Sequence, residues 1–73
     1  MSTITGNVSI TVNGDARDYG AGRTVAELLG ELGLHPQLVV VERNREILER
    51  RLLSSTEVLP GDVYELVHFV GGG

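Results

Sequence analysis

Residues 8–14, VSITVNG, contain the two signals that decide the fold of this chain, an alternating strand and a tight turn. The apolar residues of VSITV alternate with hydroxyl side chains, which is typical of a strand with one buried face. Asn13 and Gly14 form the strongest two-residue hairpin signal, because both tolerate positive φ. We therefore predict a hairpin. Its return strand covers residues 15–19, and the polar character of that strand places it at a sheet edge.

The segment TVAELLGEL, residues 24–32, has the pattern of one amphipathic helix. Thr24 and Glu27 are spaced as a capping box at its start. The apolar residues that follow fall at i, i+3, i+4 and i+7, which makes a single stripe. Gly33 is suited to end the helix, and Pro36 prevents it from resuming. We expect a helix of roughly three turns with one face to bury.

The second half of the chain supplies the other strands. Its elements, in order, are a strand at 38–43, a turn at 44–46, a short return strand at 47–48, a helical turn within 49–55, a turn at 60–62 and a strand at 63–70. A striped helix and a sheet with one apolar face can close a core only on each other. The last strand can lie parallel to the first, since a crossover separates them. The sequence therefore predicts an α+β fold with a mixed four-stranded sheet packed on one helix.

One face of the last strand combines a charge with large apolar side chains. Glu65 is not expected in a core without a partner, so its face should be exposed. Val67 and Phe69 share that face and would form an exposed apolar pair suited to docking. The alternative is that a loop or the tail covers Phe69, or that the strand twists.

Composition limits the classes of function. The chain has 73 residues, no cysteine and a net charge of −4, so we expect one small domain without disulfides and without nucleic-acid binding. The first residues lack the pattern of a signal peptide and no apolar run could span a membrane, which favours a cytoplasmic protein.

His35 and His68 have no ligand partners that would make a metal site, and we expect His68 to be a partly buried strand residue. No catalytic constellation is evident.

Gly71, Gly72 and Gly73 form a segment without Cβ atoms. Such a segment is thin, can follow many paths and extends about 10 Å. It would present the α-carboxylate of Gly73 clear of the domain. A carboxylate becomes an acyl donor once ATP converts it to an acyl adenylate, which needs Mg²⁺ and cationic groups. The chain has no phosphate loop, so we expect another protein to supply that machinery.

Taken together, these segments resemble the β-grasp sulfur carriers, which are relatives of ubiquitin, and most closely the thiamine-biosynthesis carriers of the ThiS family. The matching segments are VNG at 12–14, TVAELL at 24–29, VVVERN at 39–44, PGD at 60–62 and VHFVGGG at 67–73. The resemblance implies a β-grasp domain over residues 1–70, in which 1–7 are a short extension, and a flexible tail at 71–73. Arg45 and Glu49 depart from the family pattern, but only in local loops.

The resemblance also implies a function. An E1-like adenylyltransferase would adenylate Gly73 with ATP and Mg²⁺, and a cysteine desulfurase would supply the sulfur of a thiocarboxylate. Thiazole synthase would then receive that sulfur. The chain would be a carrier that binds no cofactor and is not itself an enzyme. Gly71 and Gly72 would form the activation tail, and Val67, Phe69 and Val70 would contact partners.

Other functions fit the same residues. The chain resembles the small subunit of molybdopterin synthase in its fold and tail, and a carrier for another sulfur-containing metabolite would use the same chemistry. A modifier that forms an isopeptide bond through Gly73 would need the same activation. A simple interaction module, in which the glycines have no role, is the remaining alternative.

Overall fold

The computed structural model describes residues 6–69, which form one five-stranded sheet with a helix against one face. The elements run in the order β1 (Asn7–Val12), β2 (Asp15–Gly20), α1 (Val25–Glu31), a 3₁₀ helix (Pro36–Leu38), β3 (Val39–Arg43), β4 (Glu46–Leu48), a second 3₁₀ helix (Arg50–Leu52) and β5 (Val63–His68). The strands lie in the order β2-β1-β5-β3-β4. β1 and β5 are parallel and the other neighbours are antiparallel. This is the predicted mixed sheet, with the short return strand counted as a fifth member.

The first hairpin forms as its sequence predicts. Asn13 and Gly14 have φ values of 49° and 86°, the combination that a type I′ turn requires. Val12 pairs with Asp15 on either side of the turn. Most of β2 is exposed and it lies at the edge of the sheet, which confirms the predicted edge strand.

The second hairpin uses a less usual turn residue. Asn44 and Arg45 both have positive φ, at 52° and 74°, and Arg43 already pairs with Glu46. The turn is therefore two residues long, one fewer than the predicted 44–46, and Glu46 already belongs to β4. An arginine in the left-handed region is uncommon, because its Cβ crowds the backbone there.

The capping box of α1 is present in full. The Thr24 hydroxyl accepts a hydrogen bond from the Glu27 amide at 3.2 Å, and the Glu27 carboxylate accepts one from the Thr24 amide at 2.8 Å. The helix has 7 residues and is capped by Leu32, which makes it shorter than the expected three turns. The stretch between Thr24 and Gly33, whose φ is 75°, has room for only about two turns.

The core lies between α1 and the inner face of the sheet. Its buried residues are Ile10, Val12, Tyr19, Val25, Leu28, Leu29, Val39, Val41, Leu53, Val58, Tyr64 and Leu66. Leu53 belongs to the connection before β5 and is also buried. None of the helices in the described region has the length and apolar character that a membrane-spanning helix needs.

Residues at both ends lie outside the described part. The last two residues of the predicted extension at 1–7 belong to the described part. β1 begins at Asn7, and the Gly6 carbonyl accepts a hydrogen bond from the Ala21 amide at 3.1 Å. Residues 1–5 and 70–73 are not described, so the predictions for the tail stay predictions.

Candidate functional site

The outer face of the sheet, which is turned away from α1, exposes the apolar side chains expected there. Val67 and Phe69 are 56% and 51% exposed, which confirms that this side of the last strand faces solvent. Their contact with a partner is a prediction that the exposure supports.

Two further strands extend this apolar surface. Val40 of β3 pairs with Val67, Ile47 of β4 is exposed, and Val63 is exposed near the start of β5. We call Val40, Ile47, Val63, Val67 and Phe69 the outer apolar patch. The exposed residue of β3 could not be predicted from the sequence, because the run LVVV has no alternation that would assign its faces.

Two carboxylates lie on the same face of the sheet as the outer apolar patch. Glu42 and Glu65 are direct partners in the ladder between β3 and β5, and Glu42 pairs with Ile47 on its other side. All three side chains therefore share the outer face, because paired residues of neighbouring strands point the same way.

β5 is held on its other edge by a turn residue. The backbone ladder between β1 and β5 ends where the Asn13 amide donates to the Tyr64 carbonyl at 2.8 Å. The Asn13 side chain continues it: Oδ1 accepts from the Leu66 amide at 2.7 Å and Nδ2 donates to the Leu66 carbonyl at 3.3 Å. Beyond Leu66 the chain is held from the β3 side, where the Phe69 amide donates to the Leu38 carbonyl at 2.7 Å.

The start of β5 is anchored by a buried carboxylate. Asp62 is 5% exposed and accepts four hydrogen bonds. They come from the Leu59 amide, Arg43 Nε and Asn44 Nδ2, each at 3.0 Å, and from the Tyr64 hydroxyl at 2.8 Å. A buried carboxylate is tolerated when its oxygens are bonded in this way. The sequence predicts only that Asp62 lies in a turn.

These contacts change the ionisation of the groups that make them. Burial opposes ionisation of Asp62, but the hydrogen bonds it accepts, from the Leu59 amide first, outweigh burial and hold the pKa of Asp62 below its usual value. Burial, and then the hydrogen bond to Asp62, raise the pKa of Tyr64 well above its usual value. At neutral pH the network therefore consists of a carboxylate and a neutral phenol.

The architecture and the sequence segments together agree with one protein family. Its model, that of the ThiS family, matches residues 10–73, which is most of the chain. The chain belongs to the ThiS family.

Known proteins similar to this family member include a sulfur carrier and two thiazole synthases. It is 44% identical over 50 residues to the sulfur carrier protein ThiS of Bacillus subtilis, a match that covers 68% of this chain and 76% of that protein. It is also 42% identical over 66 residues to a thiazole synthase of Paramagnetospirillum magneticum, which covers 90% of this chain. The chain spans about a fifth of the length of the thiazole synthases it matches.

A solved structure supports the same fold. The crystal structure of the thiamine biosynthesis protein ThiS from Geobacter metallireducens superimposes with a TM-score of 0.74 at 38% identity. The match covers 90% of this chain and 100% of that one. The predicted ubiquitin-like β-grasp fold is therefore confirmed.

In this ThiS family member, the predicted site residues divide into two sets. Val67 and Phe69 lie together on the outer face. Val70 and the glycines Gly71, Gly72 and Gly73 lie outside the described residues. The structure therefore describes the surface that adjoins the tail, and the roles given to the tail stay predictions.

The expectation that His68 is partly buried was wrong, because this side chain is exposed. His68 pairs with Val39 on the β3 side, but on the β1 side the contacts to β5 end with those of the Asn13 side chain to Leu66, so no strand flanks His68 there. His35 has a structural role: its Nδ1 accepts a hydrogen bond from the Gln37 amide at 3.1 Å and caps a 3₁₀ helix. Between residues 6 and 69, no three metal-binding side chains come together.

Proposed function

We propose that this ThiS family member is a sulfur carrier for the formation of the thiamine thiazole, with the α-carboxylate of Gly73 as its working group. The observation that carries the proposal is the family match, which extends through residue 73. The likeness to a protein named as a sulfur carrier, at 44% identity, supports it. In this proposal the chain is a co-substrate and the catalysts are its partners.

The chemistry requires activation of a poor acyl donor. An oxygen of the Gly73 carboxylate attacks the α-phosphorus of ATP, and pyrophosphate leaves. A sulfur nucleophile, supplied as a persulfide by a cysteine desulfurase, then attacks the acyl carbon, and AMP leaves. Cleavage of the resulting acyl disulfide by a thiol yields the Gly73 thiocarboxylate. An E1-like adenylyltransferase would bind the ATP and Mg²⁺ and stabilise the charge that develops on the phosphates.

The glycines beside Gly73 fit a requirement of that step. An activating enzyme must bring a carboxylate to ATP in a site that excludes water, so the segment that carries it has to be narrow. Gly71 and Gly72 carry no Cβ and can follow the path that such a channel imposes.

The proposed sulfur acceptor is thiazole synthase, which would take the sulfur from the thiocarboxylate. Relatives named as thiazole synthases contain a segment similar to this chain within a longer protein. Fusion of two proteins that act together keeps them at high effective concentration, which supports thiazole synthase as the acceptor. Val67, Phe69 and Val70 would contact the proteins that act on Gly73.

Intact mass spectrometry tests the proposal. The chain is incubated with ATP, Mg²⁺, the activating enzyme of the same organism and a sulfide source. We expect the mass to rise by the difference between a sulfur and an oxygen atom. Deletion of Gly73 should abolish the gain, and Gly72→Val should block adenylation because it widens the segment.

Gly30→Ala is the matched control, because a Cβ at this exposed helix position has no atom within 4 Å and the tail is unchanged. It should gain sulfur as the wild type does. An unchanged wild-type mass would contradict the proposal, and normal adenylation of Gly72→Val would contradict the narrow channel.

A further inference from the structure

Two like charges oppose each other in the middle of the outer apolar patch. Glu42 and Glu65 are direct partners in the antiparallel ladder of β3 and β5. Directly opposed like charges destabilise a sheet. The side chain of Glu65 is exposed and that of Glu42 is partly buried. The free protein thus places this pair where it does not help the fold.

Two arginines that follow Glu42 in the sequence have other partners. Arg43 follows Glu42 in β3, so its side chain lies on the opposite face of the sheet. Its Nε donates a hydrogen bond to Asp62 at 3.0 Å. Arg51 pairs with Glu49 at 2.8 Å. Of the ion pairs formed within residues 6–69, none includes Glu42 or Glu65. Both negative charges therefore stay on the face that carries the patch.

We propose that Glu42 and Glu65 together bind one arginine side chain of thiazole synthase, while the outer apolar patch packs against apolar residues around that arginine. The inference rests on the proposed function and adds the chemistry by which the partner is recognised. Opposed side chains in a ladder have Cβ atoms about 5 Å apart. A planar guanidinium can donate to two carboxylates at that spacing, whereas an ammonium is a compact point charge.

Relatives that contain a similar segment within a thiazole synthase favour that enzyme as the partner of the patch. Phe69 belongs to the patch and lies 4 residues before Gly73 in the sequence. An enzyme that takes sulfur from Gly73 therefore has to reach this end of the sheet. Once the patch is covered, water is excluded around the glutamates and each charged hydrogen bond becomes stronger.

The test compares two double variants that remove the same charge. Glu42→Gln with Glu65→Gln neutralises the opposed pair. Glu46→Gln with Glu57→Gln is the matched control, since both residues are exposed and neither belongs to the patch. The thiazole synthase of the same organism is titrated with each variant, and its dissociation constant is measured at low and high salt.

We expect the pair variant to bind about tenfold more weakly or worse, and to lose most of the salt dependence, while the control stays within about twofold. The pair variant should also unfold at a higher urea concentration than the control, because the opposed charges are gone. Equal weakening of both variants would overturn the inference, since net charge alone would explain it. Unchanged affinity of the pair variant would overturn it as well.

The same experiment separates this inference from the proposed function. If the wild-type chain gains sulfur and binds the synthase, the comparison above decides only the role of the two glutamates. If the wild-type chain does not bind the synthase at all, the acceptor named in the proposed function is wrong, and the inference fails with it.

Discussion

The side-chain amide of Asn13 bonds the backbone N–H and C=O of Leu66, which follows it by 53 residues. One residue thus performs two tasks. Its positive φ of 49° forms the first turn. Its side-chain amide makes the hydrogen bonds to β5 that the backbone of β1 would make if that strand continued. The contact joins the first hairpin to the strand that precedes the tail.

Replacement of Asn13 tests this contact. Asn13→Gly retains a residue that accepts positive φ but removes the amide, so the Leu66 N–H loses its partner. We expect a loss of about 1 kcal/mol in the free energy of unfolding, and faster hydrogen exchange at the Leu66 amide.

The Phe69 amide is the internal control, since it donates to Leu38 in the other ladder. Hydrogen exchange at the Phe69 amide should become faster only by the amount that the lower free energy of unfolding of the whole domain causes. Unchanged exchange at Leu66 would show that the Asn13 amide does not hold β5.

The buried carboxylate of Asp62 predicts a specific dependence of stability on pH. Its pKa is lower in the folded state than in the unfolded chain, so it stabilises the fold above the unfolded value of about 4. That contribution is lost as the pH falls from about 4 through the folded pKa. Asp62→Asn should cost about 2 kcal/mol at pH 7 and should flatten the stability curve in this acid range.

Asp18→Asn provides the comparison, because it removes the same charge from the exposed edge strand β2. Urea denaturation between pH 2 and 7 measures both variants. A stability curve for Asp62→Asn that runs parallel to the wild type through the acid range would contradict the assigned role of Asp62.

The turn at Arg45 predicts a stabilising substitution. Arg45 has a φ of 74°, which costs an L-residue roughly 1 kcal/mol. Arg45→Gly should therefore stabilise the chain by about 0.5 kcal/mol after the entropy that glycine gains on unfolding is counted.

Arg45→Ala separates backbone strain from charge, because alanine removes the guanidinium but keeps the Cβ. It should leave the urea midpoint nearly unchanged. If Ala and Gly stabilise equally, the charge of Arg45 is the cause and the backbone argument is wrong.

The sequence was most informative where structure depends on neighbouring residues. The Asn13-Gly14 turn and the Thr24–Glu27 capping box are local patterns, and both occur as predicted. Alternation along β5 correctly placed Glu65 and Val67 on its exposed face. These features follow from short-range geometry that a sequence displays directly.

The contacts that position β5 could not be predicted in the same way. The partners of Asp62 include Arg43 and Asn44, which belong to β3 and the turn that follows it. No spacing in the sequence indicates such a network. The exposure of His68 depends on where a neighbouring ladder ends. The length of α1 was overestimated, although Thr24 and Gly33 already limited it to about two turns.

Transfer of labelled sulfur is the most direct test of the central claim, that Gly73 carries sulfur to the thiazole. The chain is loaded with heavy sulfur as its thiocarboxylate, purified, and mixed with thiazole synthase and the remaining substrates of that enzyme. We predict that the label appears in the thiazole and that the chain returns to its carboxylate mass. Thiazole that forms without the label, while the chain keeps it, would contradict the account.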